Sequence, residues 1–162
     1  MTLEELANTL PSGLHDSALK TFTIDYERRT IRLNMSLKVG DPDGPREQRD
    51  DVRDAQIEIS GVVFFAIDPP SSAAGCNFEF PGELWIVDSY ETRSIPEFTK
   101  TIEKKLLDAV PADAFVQSFF VSEWNSYIHI AARNCSTEWN GAARHYEGPR
   151  QSFYPGETID LK

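Results

Sequence analysis

From Ile31 to Val39 every second residue is apolar: Ile31, Leu33, Met35, Leu37 and Val39 alternate with Arg32, Asn34, Ser36 and Lys38. Successive side chains of a strand point to opposite faces, so this stretch predicts a strand with one dry face and one wet face. Just before it, Phe22, Ile24 and Tyr26 alternate with Thr21, Thr23 and Asp25. Leu19–Val39 therefore reads as a hairpin with Glu27-Arg28-Arg29-Thr30 as its turn. That turn lacks the Asn-Gly or Asp-Gly pair best suited to a two-residue connection. The dry face sets the register, because a one-residue slip would put Leu33 and Met35 into water.

The rest of the chain is built around this hairpin. Thr2-Leu3-Glu4-Glu5 has capping-box spacing, and Leu3, Leu6, Ala7 and Leu10 follow at helical intervals up to Pro11-Ser12-Gly13. Gly40–Asp54 is rich in charge, Gly and Pro and reads as a loop. Ala55–Ile67 predicts a third strand. It alternates through Ile57 and Ile59, then becomes apolar on both sides from Val62, as a central strand covered on both faces would. Gly61 marks the change as a bulge. Glu83–Tyr90 is a fourth strand. Pro96–Val110 predicts the principal helix, packing across the sheet by a stripe of Phe98, Ile102, Leu106 and Leu107. Ala114–Ser122 and Tyr127–Arg133 form a second hairpin about Glu123-Trp124-Asn125-Ser126. Asn134–Lys162 reads as a polar and aromatic tail, with a turn at Gly141 and a last short strand near Thr158–Leu161. The expected fold is one α+β domain over residues 1–162. It is a mainly antiparallel sheet of about six strands, with one main helix (about 96–110) and a short N-terminal helix packed on it.

Acidic residues outnumber basic ones by 26 to 16, giving a formal net charge of −10. Like-charge repulsion opposes binding to nucleic acid or to an anionic membrane and suits a basic protein partner. No apolar run approaches the roughly 20 residues that cross a bilayer. The opening MTLEELANTLPSG is acidic and amphipathic rather than basic and apolar. These features read as a cytoplasmic protein, with Cys76 and Cys135 as reduced thiols.

Few residues suggest chemistry. His15-Asp16 pairs an imidazole with a carboxylate that together could polarise a water. Neighbours on an extended chain point opposite ways, so they serve one centre only if the chain bends there. The alternative is a turn or cap in which each bonds locally. His129 lies on the face opposite Ile128 and Ile130 and reads as a half-buried or surface histidine, and His145 falls in the tail. These three histidines have no metal-ligand spacing, so no metal and no cofactor is expected. Asp41-Pro42-Asp43-Gly44 lacks the later ligands of a calcium loop and reads as an acidic turn. Ser17, Ser122 and Ser126 have no identifiable base. Trp124 and Asn125 occupy a hairpin tip, where an aromatic ring can anchor a partner. The competing reading for Trp139, Tyr146, Phe153 and Tyr154 is that they fold back over an open sheet face.

Gly13-Leu14-His15-Asp16-Ser17-Ala18-Leu19, leading into the hairpin, resembles the hydrophobic-His-Asp-(Ala/Ser)-x-Leu opening of a group of small bacterial proteins that includes the immunity protein 50 type. The likeness covers Gly13–Val39. It implies an α+β fold, a role in binding and neutralising a toxin, and no enzyme activity. Three functions follow. The first is a non-enzymatic cytosolic binding protein, an immunity-type inhibitor of a basic toxin. The second is a small hydrolase or ligand-binding domain using His15 and Asp16 together with His129. The third is a structural or homo-oligomerisation domain with the second hairpin as a dimer edge.

Overall fold

The expected hairpin forms in the register that the alternation demands. β1 (Ser17–Asp25) and β2 (Thr30–Lys38) run antiparallel, with Phe22 opposite Leu33 and Ile24 opposite Ile31. In the computed structural model, residues 1–69, 84–92, 102 and 104–146 are described. They contain six further strands: β3 (Asp51–Ser60), β4 (Phe64–Ile67), β5 (Leu84–Glu91), β6 (Phe115–Val121), β7 (Ser126–Ala132) and β8 (Asn134–His145). The helices are short: α1 (Leu3–Ala7), α2 (Arg46–Arg49) and α3 (Lys104–Ala109). Every strand pair is antiparallel, in the order β4-β7-β6-β5-β1-β2-β3-β8.

That order cannot lie flat. Six strand spacings separate β3 from β4, about 29 Å in a flat sheet at ~4.8 Å each. Gly61–Val63 is their whole connection, and four Cα steps reach at most about 14 Å. β7 and β8 are equally far apart in the order, and Arg133 alone joins them. The sheet must therefore roll until its two ends meet. β3 runs on through the bend at Gly61 into β4, and β7 runs on through Arg133 into β8. The two bent strands face each other throughout, with Ile59 opposite Cys135 before the bend and Phe65 opposite Ile130 after it. Arg133 N–H donates to the Ser60 carbonyl, and Val63 N–H to that of Ala131, so hydrogen bonding continues through the corner. Gly61 supplies the left-handed conformation there, φ +64°, at little cost. The rings of Phe22 and Tyr26 on β1 then pack on Phe65 of β4, with centroids 6.0 and 6.3 Å apart.

The dry faces turn inward. Leu19, Ile31, Leu33, Met35, Leu37, Ile57, Ile59, Ile86, Phe119, Val121, Ile128 and Ile130 form one buried cluster. The space bounded by Leu19, Phe22, Leu33, Met35, Ile86, Phe119 and Ile128 holds only about 10 Å³, so these side chains pack closely. α1 starts in the expected capping box: Thr2 Oγ1 accepts from Glu5 N–H and Glu5 reaches back to Thr2 N–H. It contacts β5, β6 and β8 and buries Leu3 and Leu6 in the same cluster.

Several expectations are corrected. The fold is an eight-stranded, mostly antiparallel sheet with only small helices, in place of about six strands backed by a main helix. Within the expected helix at 96–110, the described helix is Lys104–Ala109 and buries none of its residues. Leu106, assigned to its core stripe, is 46% exposed, although Ile102 and Val110 are buried in a second small cluster. Phe98 lies outside the described residues. The third strand breaks at Gly61, and its second half is a half-exposed strand that, among the described residues, pairs only to β7, rather than a covered central one. Gly40–Asp54 is not all loop, since α2 occupies Arg46–Arg49 and β3 begins at Asp51. The first part of the supposed tail is β8, the longest strand among the described residues; the short strand expected near Thr158–Leu161 lies outside them. Cys135 is a buried free thiol whose pKa burial pushes up to about 11.

Candidate functional site

Two largely buried polar clusters lie on the sheet. The first is at the start of β1. Asp16 has a left-handed backbone, φ +54°, and this supplies the bend that an extended His15-Asp16 pair lacks. The two side chains consequently meet, with His15 Nδ1 3.0 Å from Asp16 Oδ1. Antiparallel register places Lys38, at the end of β2, beside the same carboxylate, Nζ to Oδ2 at 3.3 Å. Lys38 and Asp16 are buried, whereas the His15 side chain is half-exposed. Burial raises the Asp16 pKa, but the hydrogen bond and charge of His15 and the Lys38 ammonium outweigh it, so the carboxyl titrates below its ordinary range. The hydrogen bond to Asp16 raises the pKa of His15 against the effect of its burial, aided by the charges of Asp16 and Asp88.

Two residues along β2 the pattern repeats. Ser36 Oγ donates to Asp54 Oδ1, which Lys20 Nζ also meets at 2.8 Å and Arg144 at 3.4 Å. Burial of Asp54 is outweighed by the bonds from Lys20 and Ser36, and its pKa is lowered. Trp85, opposite Ala18, packs edge-on against Tyr146 at 5.1 Å.

The second cluster lies over β6 and β7. His129 is 1% exposed, more deeply buried than a half-buried or surface histidine. Its Nδ1 lies 2.7 Å from Ser118 Oγ, and its Nε2 lies 3.4 Å from Asp68 Oδ2. Thr92 Oγ1 bonds Ser118 in turn, and Tyr127 stacks on the imidazole. Serine, imidazole and carboxylate are the parts of an acyl-transfer triad. Ser118, however, has no exposure, so its hydroxyl cannot meet a substrate in this conformation. Burial lowers the His129 pKa despite the opposing charge of Asp68.

The structure thus joins His15 to Asp16 and leaves His129 with other partners. Trp124 is half-buried against the main core, and Asn125 is the left-handed residue of the β6–β7 turn, φ +45°. Glu123 of the same turn accepts from Trp85 N–H and ties the hairpin tip to β5. His145 lies 3.4 Å from Asp51. Among the described residues no group of His, Cys, Asp and Glu could hold a metal, and no helix is long and apolar enough to cross a membrane. Sequence reasoning missed Lys38, Ser118 and Asp68, which reach their histidine or carboxylate only through strand register and loop placement.

The two histidines should pull stability in opposite directions with pH. His129 has a lowered folded pKa, so its contribution is complete above the unfolded value near 6.5 and is lost as pH falls below it. His15 has a raised folded pKa, so its contribution is complete below that value and is lost as pH rises through the folded one. Urea midpoints at pH 7.5 and pH 5.5, both about one unit from the reference value, should show the acid-side loss shrinking in His129→Gln. An unchanged loss would remove His129 as its source.

No known protein family matches the sequence, and no curated protein is significantly similar to it. Among solved structures, the chain is similar to an uncharacterized protein from Neisseria gonorrhoeae. The likeness covers 76% of this chain and 91% of that one at 13% identity, with a TM-score of 0.38. So low a score carries no argument about function.

Proposed function

We propose that this protein is a binding protein that acts by surface contact, and that its partner is basic. One juxtaposition carries the reading. Lys38 ends β2 beside His15 and Asp16, and the chain then enters a segment whose Asp41, Asp43 and Glu47 are all exposed. Asp88, also exposed, stands near His15. The buried carboxylate of this corner, Asp16, is matched by Lys38, and the part-exposed Asp54 by Lys20 and Arg144, which leaves Asp41, Asp43, Glu47 and Asp88 to face a partner. The inaccessible Ser118 hydroxyl favours contact over catalysis. The resemblance of Gly13–Leu19 to immunity proteins supports a toxin domain as that partner.

Interferometry against purified basic toxin domains tests this reading. The wild type should bind one of them with an association rate that falls as salt is added. Asp41→Lys/Asp43→Lys/Glu47→Lys should weaken that complex by more than about tenfold, mainly by slowing association. Binding to none of the panel, or binding indifferent to the triple reversal, would contradict it.

A further inference from the structure

Independently of that reading, we propose that the cleft beside the β1–β2 turn is a binding site for a small aromatic carboxylate. The cleft encloses about 290 Å³ and opens to solvent. Rolling the sheet creates it, by bringing the turn of one hairpin against the bend between β3 and β4. Its apolar walls are Ile24, Val62, Val63, Phe64 and Phe65, with the Tyr26 ring, 76% exposed, at its mouth. Phe64 and Phe65 are half-exposed, so flat apolar surface borders this opening.

Arg29 supplies the charge. Two hairpins in this fold close over four residues, Tyr26–Arg29 and Ser122–Asn125, and in each the fourth residue is left-handed. Asn125 tolerates that conformation well. Arg29, at φ +54°, occupies the same position with a side chain that disfavours it. The Arg29 Nε–H donates to the Val62 carbonyl at 3.0 Å, which holds the guanidinium at the cleft. Its two Nη groups have no hydrogen-bond partner among the described residues, and a carboxylate can accept from both at once. Asp25, the anionic residue of the lining, is already engaged by Arg28: its Oδ1 accepts from Arg28 N–H at 2.8 Å and its Oδ2 lies 3.8 Å from Arg28 Nε. Aromatic faces for a ring and a fixed fork for an anion together select a ring that bears a carboxylate.

The probe is phenylacetate, titrated into the ¹⁵N-labelled full chain and followed by amide chemical shifts. Phenylacetamide and phenethylamine serve as neutral and cationic controls. Saturable shifts confined to residues 24–30 and 62–65 are expected for phenylacetate, at least about tenfold weaker for the controls. Arg29→Asn relieves the backbone and removes the fork. It should keep or raise the melting temperature while weakening phenylacetate at least tenfold. Three results would overturn the site: no saturable shift by about 10 mM, equal binding of phenylacetamide, or undiminished binding by Arg29→Asn. The comparison of ligands on the wild type decides the matter even if that variant fails to fold.

Discussion

Gly40→Ala should destabilise the protein by about 3 kcal/mol, the upper end for inserting one methyl group where none fits. Gly40 has an ordinary backbone conformation, so the cause is space. A Cβ there would lie 2.2 Å from the Gln48 carbonyl oxygen, 2.4 Å from that of Arg49 and 2.6 Å from the Arg49 carbonyl carbon. These are backbone atoms, and no rotamer change relieves the contact. The Val39 and Gly40 N–H groups both donate to the Asp51 carbonyl, at 2.9 and 3.0 Å, so the strand end cannot move aside without losing bonds. α2 would have to lift, disturbing the acidic segment proposed as the contact surface. Urea unfolding checks the stability, with Gly44→Ala as the comparison, since its nearest atom would be 3.1 Å away. A loss for Gly40→Ala below about 1 kcal/mol would mean that α2 does not pack on Gly40 as described.

Lys38→Met should cost about 3–5 kcal/mol, the usual penalty for stranding one member of a buried ion pair. Lys38 is 4% exposed and Asp16 9%, and their side chains meet at 3.3 Å. The methionine fills similar volume, so the loss comes from a buried carboxylate left with the half-exposed His15 alone rather than from a cavity. At two to four degrees per kcal/mol for a chain of this size, the melting temperature should fall by roughly 10 °C. Lys38→Met/Asp16→Asn should recover most of that loss, because neutralising both partners removes the stranded charge. Calorimetry on the wild type and the single and double variants measures the coupling. A double variant no better than Lys38→Met alone would show that the pair does not interact.

The sequence made the local elements readable and left their long-range assembly open. Alternation in Ile31–Val39 set a strand and its inward face, and Thr2 with Glu5 set a helix start. Alternation does not name a strand's partner, so nothing revealed that Gly61 and Arg133 mark facing bends through which the sheet closes. β8 was missed because its inward positions, Cys135, Thr137 and Trp139, include small and polar residues that break the apolar rhythm. The stripe at Phe98–Leu107 had helical spacing, yet spacing alone cannot show that Leu106 faces solvent. His15-Asp16 was visible as a pair, whereas the backbone bend that unites them was not. Lys38 sat on the wet face and was expected to meet water; strand register buries it on Asp16 instead. The partners of His129 are 11 and 61 residues away in the chain, beyond any motif.

Closure of the sheet underlies the buried apolar cluster, the cleft at Arg29 and the corner at Lys38, and ring contacts report on it directly. A nuclear Overhauser spectrum should show cross-peaks from the Phe65 ring to both Phe22 and Tyr26, whose centroids lie 6.0 and 6.3 Å away. In an unrolled sheet four strand spacings, about 19 Å, would separate β1 from β4. Cross-peaks from both rings, with the β1–β5 amides also paired, are the predicted result; assigned Phe65 resonances that show neither would contradict the closed sheet.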